Sequence, residues 1–246
     1  MKRSIAFALC TFMLAGAAQA AGHRTEWGYA GPHGAEHWGD LEESFAACKK
    51  GQFQSPIDIV TTTRVTHDTI GFDYRPTSAK VVNNGHTIKV VPAKGGSVHL
   101  PDGEFDLLQF HFHSPSEVTF DGRAYPLTAH FVHRNAAGQL AVVAVLFRQG
   151  ANNPILAPVF SALPHDRGDR NKIERLNVSE LLPVSRNYYA FDGSLTTPPC
   201  TEGVKWYVLR EPVEASAGQI AAFREIYPMN ARPTQPLHGR AVTGSE

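Results

Sequence analysis

Two histidines one residue apart, His111 and His113, project from the same face of an extended strand, because strand side chains alternate with period two. A third, His130, follows after sixteen intervening residues and can return on a neighbouring strand to close a three-nitrogen site. Three neutral imidazoles suit Zn²⁺ and leave the fourth tetrahedral position open for water, the arrangement of a catalytic zinc rather than a structural one. The chemistry to expect is that of a reactive hydroxide on the metal.

The elements around these residues read as strands. Phe105–His113 alternates, with Gln109, His111 and His113 on a polar face and Leu108, Phe110 and Phe112 on an aromatic one. Thr128–Arg134 is the next strand, with Thr128, His130 and Val132 sharing a face, and Asn135-Ala136-Ala137-Gly138 makes a hairpin turn after it. Leu140–Phe147 is apolar on both faces, which predicts a central, doubly buried strand. Short helices are predicted over Ile155–Leu163 and Lys172–Leu182. A clearer one spans Ser216–Tyr227, with Ser216 as N-cap and Ile220, Phe223 and Tyr227 along one stripe.

Met1-Lys2-Arg3, an apolar run from Ile5 to Ala18 and the small-x-small end Ala18-Gln19-Ala20 read as a cleaved secretory signal peptide over residues 1–20. No later stretch approaches the roughly 18 apolar residues of a membrane span. Removing Lys2 and Arg3 takes the basic count from 23 to 21 against 23 acids, so the mature chain stays near neutral. No basic run favours nucleic acid, and no membrane association is expected after cleavage. Residues 21–246 contain no linker or repeat and read as one domain. With Cys10 removed, Cys48 and Cys200 are the two cysteines left, and in an oxidising compartment they are expected to pair; two separate buried thiols are the alternative.

Several blocks around the histidines sharpen the reading: Gln109-Phe110-His111-Phe112-His113, Ser116-Glu117, His130-Phe131-Val132-His133 and Ser194-Leu195-Thr196-Thr197-Pro198-Pro199. Trp27-Gly28-Tyr29, Glu36-His37-Trp38, Gln54-Ser55-Pro56-Ile57-Asp58, Asn83-Asn84-Gly85-His86 and Asn230-Ala231-Arg232-Pro233 belong with them. Together, and in this order over nearly the whole mature chain, they resemble the α-class carbonic anhydrases, most closely the exported bacterial members. The resemblance implies a mainly β (α+β) single domain around a large, mostly antiparallel, twisted sheet of about ten strands with short peripheral helices. It also implies a zinc enzyme that reversibly hydrates CO₂ to bicarbonate and a proton through a zinc-bound hydroxide. The leader pattern predicts a periplasmic or secreted location, and a monomer or homodimer inhibited by anions and sulfonamides is expected.

Carried over residue by residue, the resemblance makes His111, His113 and His130 the zinc ligands, with Gln109 orienting one of them. Thr196 would accept a hydrogen bond from the hydroxide and donate to Glu117, and Thr197 would contact bicarbonate or an inhibitor. Val132, Val142, Leu195 and Trp206 would form the dry wall for apolar CO₂, although each is also a simple core residue. His86 would export the proton to solvent, since histidine titrates nearest neutrality, with Tyr29 and Asn84 ordering the waters between. His37 and His133 are expected to hydrogen-bond structurally, and His23, His33, His67, His99, His165 and His238 to be solvated.

Two positions depart from the family pattern. Thr128 stands where the family carries a glutamate behind a ligand histidine; its hydroxyl can accept the His130 N–H without supplying charge, which predicts looser zinc. Lys89 occupies a cavity-wall position usually held by a neutral polar side chain. A cupin-type metal oxygenase would share the His111-x-His113-x-x-x-Glu117 spacing, but the second half of that motif is absent. The alternative of a different class is a non-catalytic zinc-binding protein on the same fold.

Overall fold

The structure, a computed structural model, describes residues 25–60, 62, 64–66 and 68–245. The expected signal peptide, Cys10, His23 and His67 lie outside those residues. The strands that matter are β1 (Arg64–Thr66), β2 (Thr77–Asn83), β3 (Ile88–Pro92), β4 (Gly103–His113) and β5 (Leu127–Arg134). They are followed by β6 (Leu140–Gln149), β7 (Arg170–Leu176), β8 (Tyr188–Ser194), β9 (Glu202–Leu209) and β10 (Thr243–Ser245).

These ten lie side by side in the order β7-β2-β3-β4-β5-β6-β9-β8-β10-β1, and Gly71–Asp73, Ser97–Leu100 and Val213–Ala215 pair onto the same sheet. Along that order the pairings are antiparallel except β6 with β9 and β10 with β1. The architecture is the mainly β one expected from the resemblance.

Period-two alternation sorts the side chains onto two faces. Phe110, Phe112, Ala129, Phe131, Val143, Val145 and Phe147 pack into a back core, joined by Ile220 and Phe223 of the helix α1 (Ala217–Ile226). A fully buried phenylalanine contributes about 1.5–3 kcal/mol by leaving water. On the front face Val132, Val142, Ala144, Trp206 and Val208 pack with Ile57 and Val118. β6 is therefore buried from both sides, as its unbroken apolar run predicts.

The N-terminus of α1 is closed by a capping box. Ser216 Oγ accepts from the Gln219 N–H at 3.2 Å, and Gln219 Oε1 accepts from the Ser216 N–H at 3.0 Å. The Asn135–Gly138 turn forms between β5 and β6, with the Gly138 N–H donating to Asn135 O.

Three expectations are corrected. Lys172–Leu182 is not a helix: Arg170–Leu176 is the edge strand β7, and Val178–Leu181 is a 3₁₀ turn. The register of β7 on β2 shifts between Ile173 and Leu176, so its two buried residues fall three apart and imitate a helical stripe. Ile155–Leu163 reduces to a single helical turn, Ala157–Phe160, around Pro158. Leu108 is not on the core face either. The β4–β5 pairing skips a residue there, since Val132 pairs with Gln109 but His133 with Leu107. Leu107 and Phe105 take the core positions, and Leu108 is left half-buried.

Candidate metal centre

Register assembles the centre. His130 on β5 lies directly across from His111 on β4, and Thr128 lies across from His113, all on the front face. The imidazole centroids are 5.0 Å (His111–His113), 5.5 Å (His111–His130) and 4.7 Å (His113–His130) apart. One ring nitrogen from each falls within 4.8 Å of the others.

Protein groups hold the nitrogens that face away. Gln109 Oε1 lies 3.0 Å from His111 Nδ1, and the Asn230 carbonyl lies 2.7 Å from His113 Nδ1, so each Nδ1 donates and each Nε2 is left free. His113 Nε2 is buried with no hydrogen-bond partner. It lies 3.5 Å from Glu117 Oε2, and His130 Nδ1 lies 3.7 Å from the same oxygen. A buried nitrogen left unpaired in this way is costly unless something accepts its lone pair. Three imidazole donors, with two tautomers fixed from behind, fit Zn²⁺. Burial pushes the His111 and His130 pKa values well down, and neighbouring imidazoles add to the effect, so both rings stay neutral and able to ligate.

Thr128 does not behave as expected. Its hydroxyl donates to the Val145 carbonyl at 3.0 Å, across the β5–β6 pairing. His130 Nε2, the nitrogen that hydroxyl was expected to serve, is buried without a partner.

Glu117 is 1% exposed. Burial raises its pKa, while His113, the Thr196 hydroxyl and the Arg232 N–H favour its carboxylate form. Its Oε1 accepts from the Arg232 N–H at 2.8 Å. Thr196 is buried, and Thr197 beside it is half-buried. Their loop is closed by Leu195 N–H donating to Thr201 O and Cys200 N–H donating to Thr197 O.

Cys200 is disulfide-bonded to Cys48, as the cysteine count led us to expect. The Arg232 guanidinium lies over Trp38 and donates to Gln54 Oε1, Ser55 O and Cys48 O. One buried arginine thus ties the N-terminal arm, the disulfide and Glu117 together.

The apolar wall follows from register as well. Val132 pairs with Val142 and Val142 with Trp206, a row next to that of the histidines. Trp206 meets His130 edge-on at 5.0 Å between centroids, and Leu195 packs against the same cluster.

His86 follows a turn held by Asn84, whose Oδ1 accepts from the N–H groups of His86 and Thr87. That oxygen serves the turn, and Asn84 is exposed. The His86 ring stacks on Trp27, with centroids 3.7 Å apart and planes 5° off parallel. Its pKa is lowered by partial burial and by Arg167, against a smaller opposing effect of Glu26. The Tyr29 hydroxyl is buried and unpartnered, and burial raises its pKa well above the ordinary value, with Glu117 adding to the shift.

His133 lies on the back of β5 with Nε2 2.6 Å from Tyr74 Oη, a structural hydrogen bond as expected. His37 is instead exposed, its ring 3.8 Å from Glu36 Oε1. His33, His99, His165 and His238 are exposed. The sequence did not reveal Asn230, Arg232 or Trp27 in these roles. Asn230 and Arg232 act partly through backbone atoms, which leave no residue-type signature; their place in a shared motif was the one signal available.

A family model described as eukaryotic-type carbonic anhydrase matches residues 33–246. A carbonic anhydrase from Pectobacterium carotovorum is 45% identical over 219 residues, covering 88% of this chain and 89% of the relative. One from Nostoc sp. is 42% identical over 223 residues, covering 88% and 84%. The solved structure of α-carbonic anhydrase from Thermovibrio ammonificans with the inhibitor sulfanilamide superposes with a TM-score of 0.87 at 45% identity, covering 89% of this chain and 99% of that one. Agreement in sequence and in shape over this much of the chain goes beyond a shared fold, and the chain belongs to the α-class, or eukaryotic-type, carbonic anhydrase family.

Proposed function

We propose that the chain interconverts CO₂ and bicarbonate with His111, His113 and His130 holding zinc and with Glu117, Thr196 and His86 managing protons around it. The observation that carries this is the convergence of three imidazole nitrogens within 4.8 Å, beside the unpartnered Glu117 Oε2. When bound, zinc supplies the Lewis acidity that makes water a nucleophile near neutral pH.

The remaining work falls to the protein. Gln109 and the Asn230 carbonyl fix two ligand tautomers. Glu117, held by the Arg232 N–H, accepts the hydrogen bond of the Thr196 hydroxyl, so Thr196 faces the metal site as an acceptor and selects partners that can donate. Thr197 offers a second hydroxyl to bicarbonate or an anionic inhibitor. Val132, Val142, Leu195 and Trp206 give CO₂ a wall free of competing hydrogen bonds. His86 passes the proton outward from the metal site, with Trp27 stacked on its ring and the Tyr29 hydroxyl lining the route.

Export to the periplasm or beyond is supported by the leader pattern and by a disulfide of the kind that persists in oxidising compartments. Residues 21–246 would then be the mature domain, a mass that intact-protein spectrometry checks directly. Binding of a sulfonamide is supported by the sulfanilamide complex of the Thermovibrio relative.

The deciding test is zinc content together with a stopped-flow pH-indicator assay, with and without a sulfonamide. We expect one zinc per chain and sulfonamide-sensitive hydration. Stoichiometric zinc without turnover would support the non-catalytic zinc-binding reading, and metal-saturated protein that retains no zinc would remove both.

A further inference from the structure

Lys89 is placed by pairing. It lies directly across from His111 in the β3–β4 ladder, while its neighbours Ile88 and Val90 are fully buried in the back core. The lysine therefore extends from the front face, beside the metal centre. The row continues outward, with Lys89 paired to Val82 on β2 and Val82 to Arg170 on the edge strand β7. One row along, Val91 pairs with Lys80 and Lys80 with Lys172. Residues directly opposed in an antiparallel sheet share a face, so Lys89, Lys80, Arg170 and Lys172 form a cationic slope from the sheet edge to His111.

Little on that slope neutralises it. Lys172 is matched by Glu174 at 2.8 Å, but among the described residues no carboxylate pairs with Lys89, Lys80 or Arg170. The chain as a whole carries 23 basic and 23 acidic residues, so this positive charge is a local concentration.

We propose that Lys89, backed by Lys80 and Arg170, sets the anion affinity of the metal site, drawing bicarbonate and other monovalent anions toward it. This rests on the zinc centre proposed above. A fixed cation beside the half-buried His111 stabilises any anion nearby and leaves uncharged CO₂ unaffected. Lys80 and Arg170 lie farther out and exposed, so their contribution is smaller and screened by salt.

The test uses zinc-loaded enzyme at low ionic strength, titrated with thiocyanate and followed by the infrared C–N stretch of the bound ion. Lys89→Gln should weaken thiocyanate by about fivefold, while Lys89→Arg keeps the wild-type affinity. Lys80→Gln combined with Arg170→Gln should weaken it by about twofold, a difference lost in sodium sulfate near 1 M ionic strength, where screening acts within about 3 Å. An unchanged Kd in Lys89→Gln would overturn the proposal, as would equal weakening in Lys89→Arg, which would assign Lys89 a packing role. Wild-type protein that holds zinc but binds no thiocyanate also overturns it. Wild-type protein that holds no zinc overturns the metal centre itself.

Discussion

His113 and His130 reach the centre from neighbouring strands and are equally buried, at 0% and 2% exposure, but the groups behind them differ. His113 donates to the Asn230 carbonyl, in a stretch whose Asn230 side chain also holds Ser114 N–H, Phe112 O and His86 O. Among the described residues His130 Nε2 has no hydrogen-bond partner, and the nearby Thr128 hydroxyl is spent on Val145 O. Two proposed ligands of one ion are thus held by different means, one by hydrogen bonding and the other by packing against Trp206. The donor set of a metal site can persist while its outer support is rewritten.

The comparison can be broken most forcefully at the well-held ligand. His113→Ala should abolish stoichiometric zinc and reduce hydration to background, and full zinc after dialysis would contradict the site.

Next in size is a pH effect on the other face of β5. His133 is held neutral, with burial pushing its pKa from 6.5 down to about 3. Because the folded value lies below the unfolded one, this contribution to stability is complete above about pH 6.5 and is lost progressively toward pH 3. That amounts to about 2–3 kcal/mol lost at pH 4.5. Urea unfolding of zinc-loaded protein at pH 7 and 4.5 should show a shallower pH dependence in His133→Leu than in the wild type; parallel losses would exclude His133 as the cause.

The contrast between the two ligands is then sharpened by adding and removing support. Thr128→Glu should tighten zinc against a chelator by about 10–100-fold, and Gln109→Ala should loosen it by a similar factor. Thr128→Val is the smallest change. Zinc affinity should stay within about twofold, and stability should fall by about 1 kcal/mol for the lost bond to Val145 O. If Thr128→Val loosens zinc as much as Gln109→Ala does, the hydroxyl supports His130 after all.

How far these features were legible in the sequence depended on whether they were local. The alternation of Gln109, His111 and His113, the Ser216 cap and the Asn135–Gly138 turn are written within a few neighbouring residues, and each formed as read. The shift at Leu108 and the edge strand Arg170–Leu176 were misread because a skipped residue changes the period that the reading relies on. The cysteine pairing was legible from count and compartment alone. The holds on His113 and Glu117 were not, because Asn230 and Arg232 lie 117 and 115 residues away and work through a carbonyl and an amide that every residue possesses.

That last arrangement bears on how the molecule is made. A chain synthesised from its N-terminus has all three histidines in hand once His130 is made, yet the segment that steadies His113 and Glu117 emerges only about a hundred residues later. An ion captured by a growing chain would sit on ligands whose orientation was not yet fixed and could leave again. Durable loading therefore waits for the Asn230–Arg232 segment, and shortening the chain before Asn230 should cost metal retention even with every ligand intact.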